Sequence, residues 1–593
     1  MPVFSGRRTV CKESKSVSLE VQLGPRPRFK RKRKRKRVTP ILLLLAAIAA
    51  AAYWFFIKPS NEHVEPYGGS RQAIVWQGGL YDKKYLFEAE QVLLPFEFLK
   101  EHLDPAIYWD EPTRSVIVTT KDKVLRMQSG ELVAYLNKRP VSLQVPVKEV
   151  NGTRFIPLEP LEKLYRVSFS RDPDTGVLRV EKEGYTVQQG SVVNGDEPVR
   201  LRLEPTHRSP YVAELSNGEA VDILGESEKW YRVLSSKGIT GYLPTSAVSL
   251  TEVRKVSLDQ PGREQPTVWK PEGTKINLTW EHVVNRNPAV ANIGPMPGVN
   301  VVSPTWFELK DGNGTLLNKA DPGYVQWAHQ RGYQVWGVVT NGFNPDWTQS
   351  VLGSYDKREN LIAQIVHYAH LYDLDGINID FENVYVEDKE RLVQFVREMT
   401  PYLHELGLAV SMDVTIKSSS DRWSRFYDRA KLAEVVDYIA VMTYDEHWAS
   451  SPIAGSVASL PWTERGLQGV LEEVPAEKLL LGVPFYTRLW KETKQPDGSV
   501  KVTSKALSMA GASEWIKERK LTPTLDEDSG QLFVRYEDPA DGAVYKMWLE
   551  DVTSMQKRVA LVHKYNLAGI ASWRRGFEQP EIWKAINDGL NRK

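Results

Sequence analysis

Cysteine is almost absent from the 593-residue chain, which contains only Cys11. A single cysteine cannot form an intrachain disulfide, so a disulfide-stabilised scaffold is excluded. The length still allows roughly three to five domains with sizeable cores. The 18 Trp and 25 Tyr residues supply aromatic faces that suit sugar binding, although core packing accounts for most such rings.

An excess of charge of one sign is also lacking, since 77 Lys and Arg residues nearly balance 75 Asp and Glu residues. The distribution is uneven, because residues 1–40 hold 14 basic and two acidic side chains. The remainder of the chain is therefore mildly acidic, unlike an enzyme that binds nucleic acid. We predict no nucleic-acid partner.

A long apolar run lies near the N-terminus, at 41–57, directly after the basic run 30–37. Its 17 residues extend roughly 26 Å as a helix, slightly short of a ~30 Å hydrocarbon core, and flanking residues can extend it. We therefore predict a basic cytoplasmic tail (1–37), a transmembrane anchor (38–58) and an extracytoplasmic remainder. A cleaved signal peptide and a nucleic-acid-binding patch are the alternatives. Export without disulfides fits a Gram-positive bacterium.

An internal repeat with an offset of 62 residues follows. The segments 94–99 and 156–161 align, as do the turns 110–113 and 172–175. Each copy predicts a short helix and then a two-stranded ribbon around an Asp-containing turn. We predict a duplicated α+β stalk domain over 72–184 that acts as a spacer, and its lack of clustered His or Cys predicts no metal. The pattern resembles the N-terminal domain of some copper amine oxidases.

Residues 190–250 combine short strand patterns with glycine turns, for example at Val221–Leu224 and Trp230–Val233. This spacing predicts a small all-β barrel. The order of the motifs resembles a bacterial Src-homology-3-like domain, a frequent cell-wall-binding module. The resemblance implies wall binding, with Trp230 and Tyr231 as either binding or core residues.

Strand and helix patterns alternate through residues 270–593, which is typical of a parallel sheet. Eight strand patterns predict a closed (β/α)8 TIM barrel, in which catalytic groups lie at the C-terminal strand ends. The patterns are Ile276–Val283, Val299–Phe307, Gln334–Thr340, Gly376–Glu382, Leu408–Thr415, Tyr438–Tyr444, Leu480–Tyr486 and Gly569–Trp573. A long connection at 491–550 predicts an α+β insertion that walls a groove.

The most informative run is Asp375–Glu382, in which polar and apolar residues alternate. Because successive side chains of a strand point to opposite faces, Asn378, Asp380 and Glu382 share one face. The alternative is a half-exposed strand with a solvated polar face. The neighbouring strand patterns read as buried on both faces, so we predict that the three polar side chains face the barrel interior.

This run resembles the Asp-x-x-Asp-x-Asp-x-Glu signature of family 18 glycoside hydrolases, with Asn378 replacing the second Asp. The replacement is similar to the branch that includes bacterial spore-cortex and cell-wall glucosaminidases. Segments 442–447, 482–486 and 569–573 are similar to the family's strands six, seven and eight. The resemblance covers about 270–593 and implies cleavage of an N-acetylglucosamine-containing polymer without a cofactor or metal.

The resemblance also implies roles for individual residues. Glu382 is the catalytic acid, Asp380 orients the substrate's 2-acetamido group, and Tyr444 donates a hydrogen bond to that group. A charged Asp380 favours a protonated Glu382. Asn378 cannot ionise, so the pH optimum can differ from the family's. The residues implied to line the substrate site, for each of which plain packing is the alternative, are Asn378, Asp375, Met442, Asp445, Tyr486, Trp573 and Asn341.

The favoured interpretation is a cell-surface N-acetylglucosaminidase that cleaves β-1,4 bonds of peptidoglycan by substrate-assisted, retaining catalysis. The anchor, the stalk and the wall-binding-like module favour a wall polymer over free chitin, and a chitinase is the same-class alternative. A catalytically inactive sugar-binding or scaffolding protein is the different-class alternative, although such relatives usually lose the acid that Glu382 supplies. An added role in assembly, with the stalk binding a membrane partner, stays open.

Overall fold

The computed structural model describes residues 39–54, 58–195, 197–258, 268–540 and 542–591. Eight parallel strands in the C-terminal half form a closed barrel, which confirms the predicted fold class. The strands are β1 (Ile276–Glu281), β2 (Val301–Pro304), β3 (Gln334–Thr340), β4 (Gly376–Asp380), β5 (Ala409–Thr415), β6 (Tyr438–Met442), β7 (Leu479–Pro484) and β8 (Gly569–Trp573). Neighbouring strands pair in the order β2-β1-β8-β7-β6-β5-β4-β3, and β2 pairs with β3 to close the ring.

Helices cover the outside of the barrel and bury the outward-facing apolar side chains of the strands. On β4, for example, Ile377 and Ile379 are fully buried in the same cluster as Phe395 and Val396 of the next helix. The helices of the C-terminal half, of which α7 belongs to the insertion between β7 and β8, are α1 (Pro322–Gln330), α2 (Pro345–Leu352), α3 (Tyr355–Leu371), α4 (Lys389–Glu405), α5 (Arg429–Val435), α6 (Leu460–Leu471), α7 (Met509–Glu518), α8 (Val552–Lys564) and α9 (Glu581–Leu590).

The long connection between β7 and β8 is an α+β insertion, as predicted. Helix α7 packs against the antiparallel sheet of the insertion, and the two form a small hydrophobic core that is separate from that of the barrel. The five strands are Tyr486–Lys494, Val500–Ser508, Thr524–Asp526, Gln531–Glu537 and Val544–Trp548. The insertion therefore begins at Tyr486, earlier than the predicted start at 491, because the chain passes directly from β7 into a new strand.

The two copies of the repeat pair with each other in the stalk domain. Strand Gln91–Pro95 of the first copy runs antiparallel to strand Thr153–Pro157 of the second, and the aligned residues Leu94 and Ile156 are register partners. Each of these strands is followed by a short helix. The other elements are Phe96–Phe98, Tyr108–Asp110, Ser115–Thr119, Val124–Gln128, Val133–Leu136, Arg139–Ser142, Lys148–Val150, Glu159–Tyr165, Val167–Arg171 and Leu178–Lys182, with Ile74–Trp76, Gly79–Leu80 and Leu86–Glu88 preceding them.

A seven-stranded antiparallel sheet forms the next domain around a separate small core. Trp230 is buried and contacts the His207 ring, with 4.9 Å between ring centroids, so it is a core residue. Tyr231 is half-buried. The strands are Thr186–Val192, Val199–Arg202, Tyr211–Leu215, Ala220–Ser227, Trp230–Ser235, Thr240–Pro244 and Val248–Lys255.

The stalk domain is docked onto the barrel rather than separated from it. Helices α3 and α4 contribute Tyr355 and Tyr402 to an apolar contact with Ile117 and Val124 of the stalk. Arg358 of α3 lies at the centre of this contact and is fully buried. The helices on either side of β4 in sequence therefore carry the interface.

Ion pairs formed by Arg358 connect the two domains. Its guanidinium lies 3.1 Å from Asp110 Oδ1 of the stalk. The same group donates to both carboxylate oxygens of Glu398 in α4, at 2.8 and 2.9 Å. One buried cation is thus shared by two buried carboxylates from different domains.

A 14-residue helix spans Thr39–Ala52. Among the described residues, no helix combines the length and the apolar character needed to cross a membrane. The predicted transmembrane anchor over 38–58 is therefore not supported. The predicted basic tail lies outside the described residues, and the extracytoplasmic placement stays a prediction.

Candidate active site

The polar side chains of β4 face the barrel interior, which rules out the alternative of a solvated strand face. Asn378 is fully buried, and Asp380 is half-buried at the C-terminal end of the strand. Gly376 begins the strand because a Cβ there would come within 2.7 Å of the Trp336 ring and 2.8 Å of the Ala409 carbonyl. The absence of a side chain at this position lets β4 approach its neighbours closely.

Glu382 lies two residues beyond the end of β4 and is held through its backbone. The Asn341 side chain donates to the Glu382 carbonyl at 2.7 Å and accepts from the Glu382 N–H at 3.1 Å. The Tyr427 hydroxyl donates to the preceding Phe381 carbonyl at 2.9 Å. These contacts fix the backbone from which the carboxyl group projects and leave that group free to meet a ligand.

The environment of Asp380 and Glu382 favours protonation. Burial raises the pKa of Asp380 to about 6. Burial also raises the pKa of Glu382 well above its ordinary value, and the nearby Asp380 and Asp445 charges raise it further. In the described part of the chain, no Lys, Arg or His forms an ion pair with either carboxyl group. A protonated Glu382 beside an ionisable Asp380 is the arrangement that a catalytic acid requires.

Asp380 Oδ1 is buried and has no hydrogen-bond partner within the described ranges. A buried, unsatisfied carboxylate oxygen costs free energy unless a ligand satisfies it. The oxygen is therefore positioned to accept a hydrogen bond from a bound molecule.

Aromatic and acidic side chains that follow β6 and β7, with the side chains that end β6 and β8, form other parts of the site. Burial raises the pKa of Tyr444 well above its ordinary value, so its hydroxyl stays a donor. The Tyr486 hydroxyl donates to Asp445 at 2.6 Å, and the Tyr444 and Tyr486 rings lie 6.3 Å apart. Half-buried Trp573 ends β8, in position to form the floor that the sequence predicts. Met442 ends β6 and is half-buried.

Three of the predicted substrate-binding residues, Asp375, Asn378 and Asn341, form hydrogen bonds with protein groups. Asp375 precedes β4 and accepts from the Val335 N–H at 2.8 Å while contacting His329 Nε2 at 2.8 Å. It precedes Asp380 by five positions, roughly 16 Å along an extended strand, so it lies at the opposite end of β4. The structure therefore places Asp375 away from Asp380 and Glu382, and its contact with substrate stays a prediction.

Asn378 and Asn341 are fully buried and hydrogen-bonded within the protein, and their contact with substrate stays a prediction. Asn341 holds the Glu382 backbone as described above. Asn378 accepts from Trp280 Nε1 at 2.9 Å and donates to Ser411 Oγ at 3.0 Å and Asp413 Oδ1 at 2.8 Å. Both side chains support the site from within the protein.

Asp413 is a site residue that sequence reasoning missed. It is buried on β5, and its only signal was a lone acidic residue in an otherwise uncharged strand, Ala409–Thr415. Its position beside Asp380 depends on the register between β4 and β5, which one strand's pattern cannot give.

Comparison with known protein families gives three matches. Residues 341–578 match the description "Glycosyl hydrolases family 18". Residues 78–180 match "Copper amine oxidase N-terminal domain", and residues 197–249 match "Bacterial SH3 domain". The first match contains Asp380, Glu382 and Tyr444. The barrel is a family 18 glycosyl hydrolase domain. The stalk and the seven-stranded domain likewise agree with their predicted resemblances.

Relatives of this family 18 domain include glycosylases of bacilli. The uncharacterized glycosylase YvbX of Bacillus subtilis is 29% identical over 302 residues, which cover 49% of this chain and 85% of that protein. The putative sporulation-specific glycosylase YdhD of the same organism is 30% identical, over 44% of this chain and 62% of YdhD. The cortical fragment-lytic enzyme of Bacillus subtilis is 27% identical, over 43% of this chain and 59% of the enzyme. The match thus spans less than two thirds of the last two relatives.

Proposed function

We propose that the chain hydrolyses β-1,4 glycosidic bonds of an N-acetylglucosamine-containing polymer, and that this polymer is peptidoglycan. The observation that carries the proposal is the position of Asp380 and Glu382 at the C-terminal end of β4. The two carboxyl groups are largely buried and lack an ion-pair partner in the described chain, and one oxygen of Asp380 has no protein partner. Barrel enzymes of this class place their chemistry at this end of the strands.

The geometry supports substrate-assisted hydrolysis. Glu382, held protonated by its surroundings, gives its proton to the oxygen of the leaving sugar. The carbonyl oxygen of the substrate's own 2-acetamido group then attacks the anomeric carbon, which replaces a carboxylate nucleophile from the protein. Asp380 accepts a hydrogen bond from the acetamide N–H and balances the positive charge of the resulting oxazolinium ion. Tyr444 donates to the acetamide oxygen.

Water completes the reaction. Glu382, now ionised, takes a proton from a water molecule that attacks the anomeric carbon and opens the oxazolinium ring. The acetamide is regenerated, and the product keeps the β configuration at the new reducing end. Each protein group therefore returns to its starting protonation state.

Peptidoglycan is favoured as the substrate by the setting of the domain. The chain combines the family 18 domain with a stretch that matches the bacterial SH3 domain. One relative of the catalytic domain carries the name cortical fragment-lytic enzyme. Both features favour a polymer of the bacterial cell wall over free chitin.

Mass spectrometry of digestion products tests this proposal. Purified protein is incubated separately with peptidoglycan and with chitin oligomers. Wall fragments with N-acetylglucosamine at the reducing end are expected. Release from chitin alone would assign the chain as a chitinase, and release from neither polymer would favour a sugar-binding or scaffolding role.

A further inference from the structure

Asp413 faces the same interior layer as Asp380 on the neighbouring strand. In the register between β4 and β5, Asn378 pairs with Ser411 and Ile379 pairs with Met412. The next residue on each strand is Asp380 and Asp413. Parallel strands lie about 4.8 Å apart, so two carboxyl groups share one layer of the barrel interior.

Asn378 connects Asp413 to the catalytic strand. An indole N–H can only donate, so the hydrogen bond from Trp280 fixes the Asn378 oxygen on that side. The amide nitrogen must then point toward β5, where it donates to Asp413 at 2.8 Å and Ser411 at 3.0 Å. The orientation of this bridge follows from the chemistry of its partners.

The groups facing Asp413 include no ion-pairing cation within the described residues. Asp380 and Glu382 come from the β4 side, and the hydroxyls of Tyr444 and Tyr427 from other elements. The guanidinium carbon of Arg429 lies 5.3 Å from the centroid of the Tyr427 ring, and this guanidinium donates to the Thr415 carbonyl. Three buried carboxyl groups without a cation cannot all be ionised at once.

We propose that Asp413 is a positioning residue, which shares the protons of this cluster with Asp380 and Glu382 and whose negative charge, when ionised, keeps Glu382 protonated before the first step. The inference rests on the proposed hydrolysis. Asp413 is the third ionisable group of the cluster and lies on β5. The amide of Asn378 on β4 bridges the two strands.

The pH dependence of hydrolysis by the full chain tests the role of Asp413. In Asp413→Asn the cluster has one carboxyl group fewer to ionise, so at alkaline pH less negative charge surrounds Glu382 and its proton is lost at lower pH. The fall of kcat/KM on the alkaline side should therefore move about one pH unit lower. The double variant Asn378→Asp/Asp413→Asn exchanges the amide and the carboxyl group between β4 and β5. It should return the alkaline fall of kcat/KM toward the wild-type pH.

Ser411→Ala is the matched control, because Ser411 also contacts Asn378 but carries no charge. This variant should leave the alkaline limb in place. An unmoved limb in Asp413→Asn, or a failure of the charge-swapped double variant to restore it, would overturn the proposal.

A second readout does not depend on activity. Burial, followed by the nearby Asp380 charge, raises the pKa of Asp413 well above its ordinary value. The folded state therefore holds the proton more tightly than the unfolded chain, and stability falls as pH rises above about 4 toward the raised pKa. The Tm of Asp413→Asn minus the Tm of the wild type should therefore increase as the pH rises through this range. A Tm difference independent of pH would contradict the inference, even if the wild type proves to hydrolyse nothing.

Discussion

Replacing Glu382 with glutamine is expected to lower kcat by about 10³-fold. Glutamine has nearly the same shape but cannot donate a proton to the leaving sugar. The backbone contacts that Asn341 makes with residue 382 do not involve the side chain. The fold and the affinity for an N-acetylglucosamine oligomer should therefore be retained, as measured by circular dichroism and titration calorimetry.

Glu387→Gln provides the control for this change. Glu387 is exposed in the same loop region, five positions further along the chain, so the amide there should leave kcat unaltered. Hydrolysis by Glu382→Gln at the wild-type rate would remove Glu382 as the catalytic acid.

Arg358→Met is expected to destabilise the protein by about 3–5 kcal/mol, the cost of leaving buried charges without their partner. Asp110, Arg358 and Glu398 are almost completely buried, and the guanidinium is the cation shared by the two carboxylates. Methionine fills a similar volume but supplies no charge. The lost stability should lower the urea concentration at the midpoint of the transition that unfolds the barrel and the docked stalk.

The same interface provides a matched control in Arg139→Ala. Arg139 pairs with Glu405 at 3.6 Å, but its side chain is 83% exposed. Such a pair contributes only about 0–1 kcal/mol. Equal midpoints for Arg358→Met and the wild type would mean that the buried ion-pair network does not stabilise the docked arrangement.

The barrel could be predicted from the sequence because its strands are short, buried and separated by amphipathic helices. The bounds of β3 and β8 agree with their predicted ranges, and β4 differs only because the strand ends at Asp380 rather than at Glu382. The alternation within β4 correctly placed Asn378 and Asp380 on the inward face. Local periodicity was sufficient for these features.

The sequence could not give features that depend on distant parts of the chain. Asp375 shares the signature but lies on the opposite face and at the other end of the strand, so membership in a motif was a poor guide to its position. Asn378 is hydrogen-bonded to side chains of β1, β2 and β5, which its own strand cannot reveal. The stalk was predicted as a spacer, because no pattern relates Asp110 to Arg358 across the sequence.

The configuration of the first product is the most direct test of substrate-assisted catalysis by this site. Proton NMR can follow the anomeric signals during hydrolysis of an N-acetylglucosamine oligomer or of a solubilised wall glycan. The proposed mechanism predicts that the β anomer appears first and then equilibrates with the α anomer. Initial formation of the α anomer would contradict an oxazolinium intermediate and the roles given to Asp380 and Glu382.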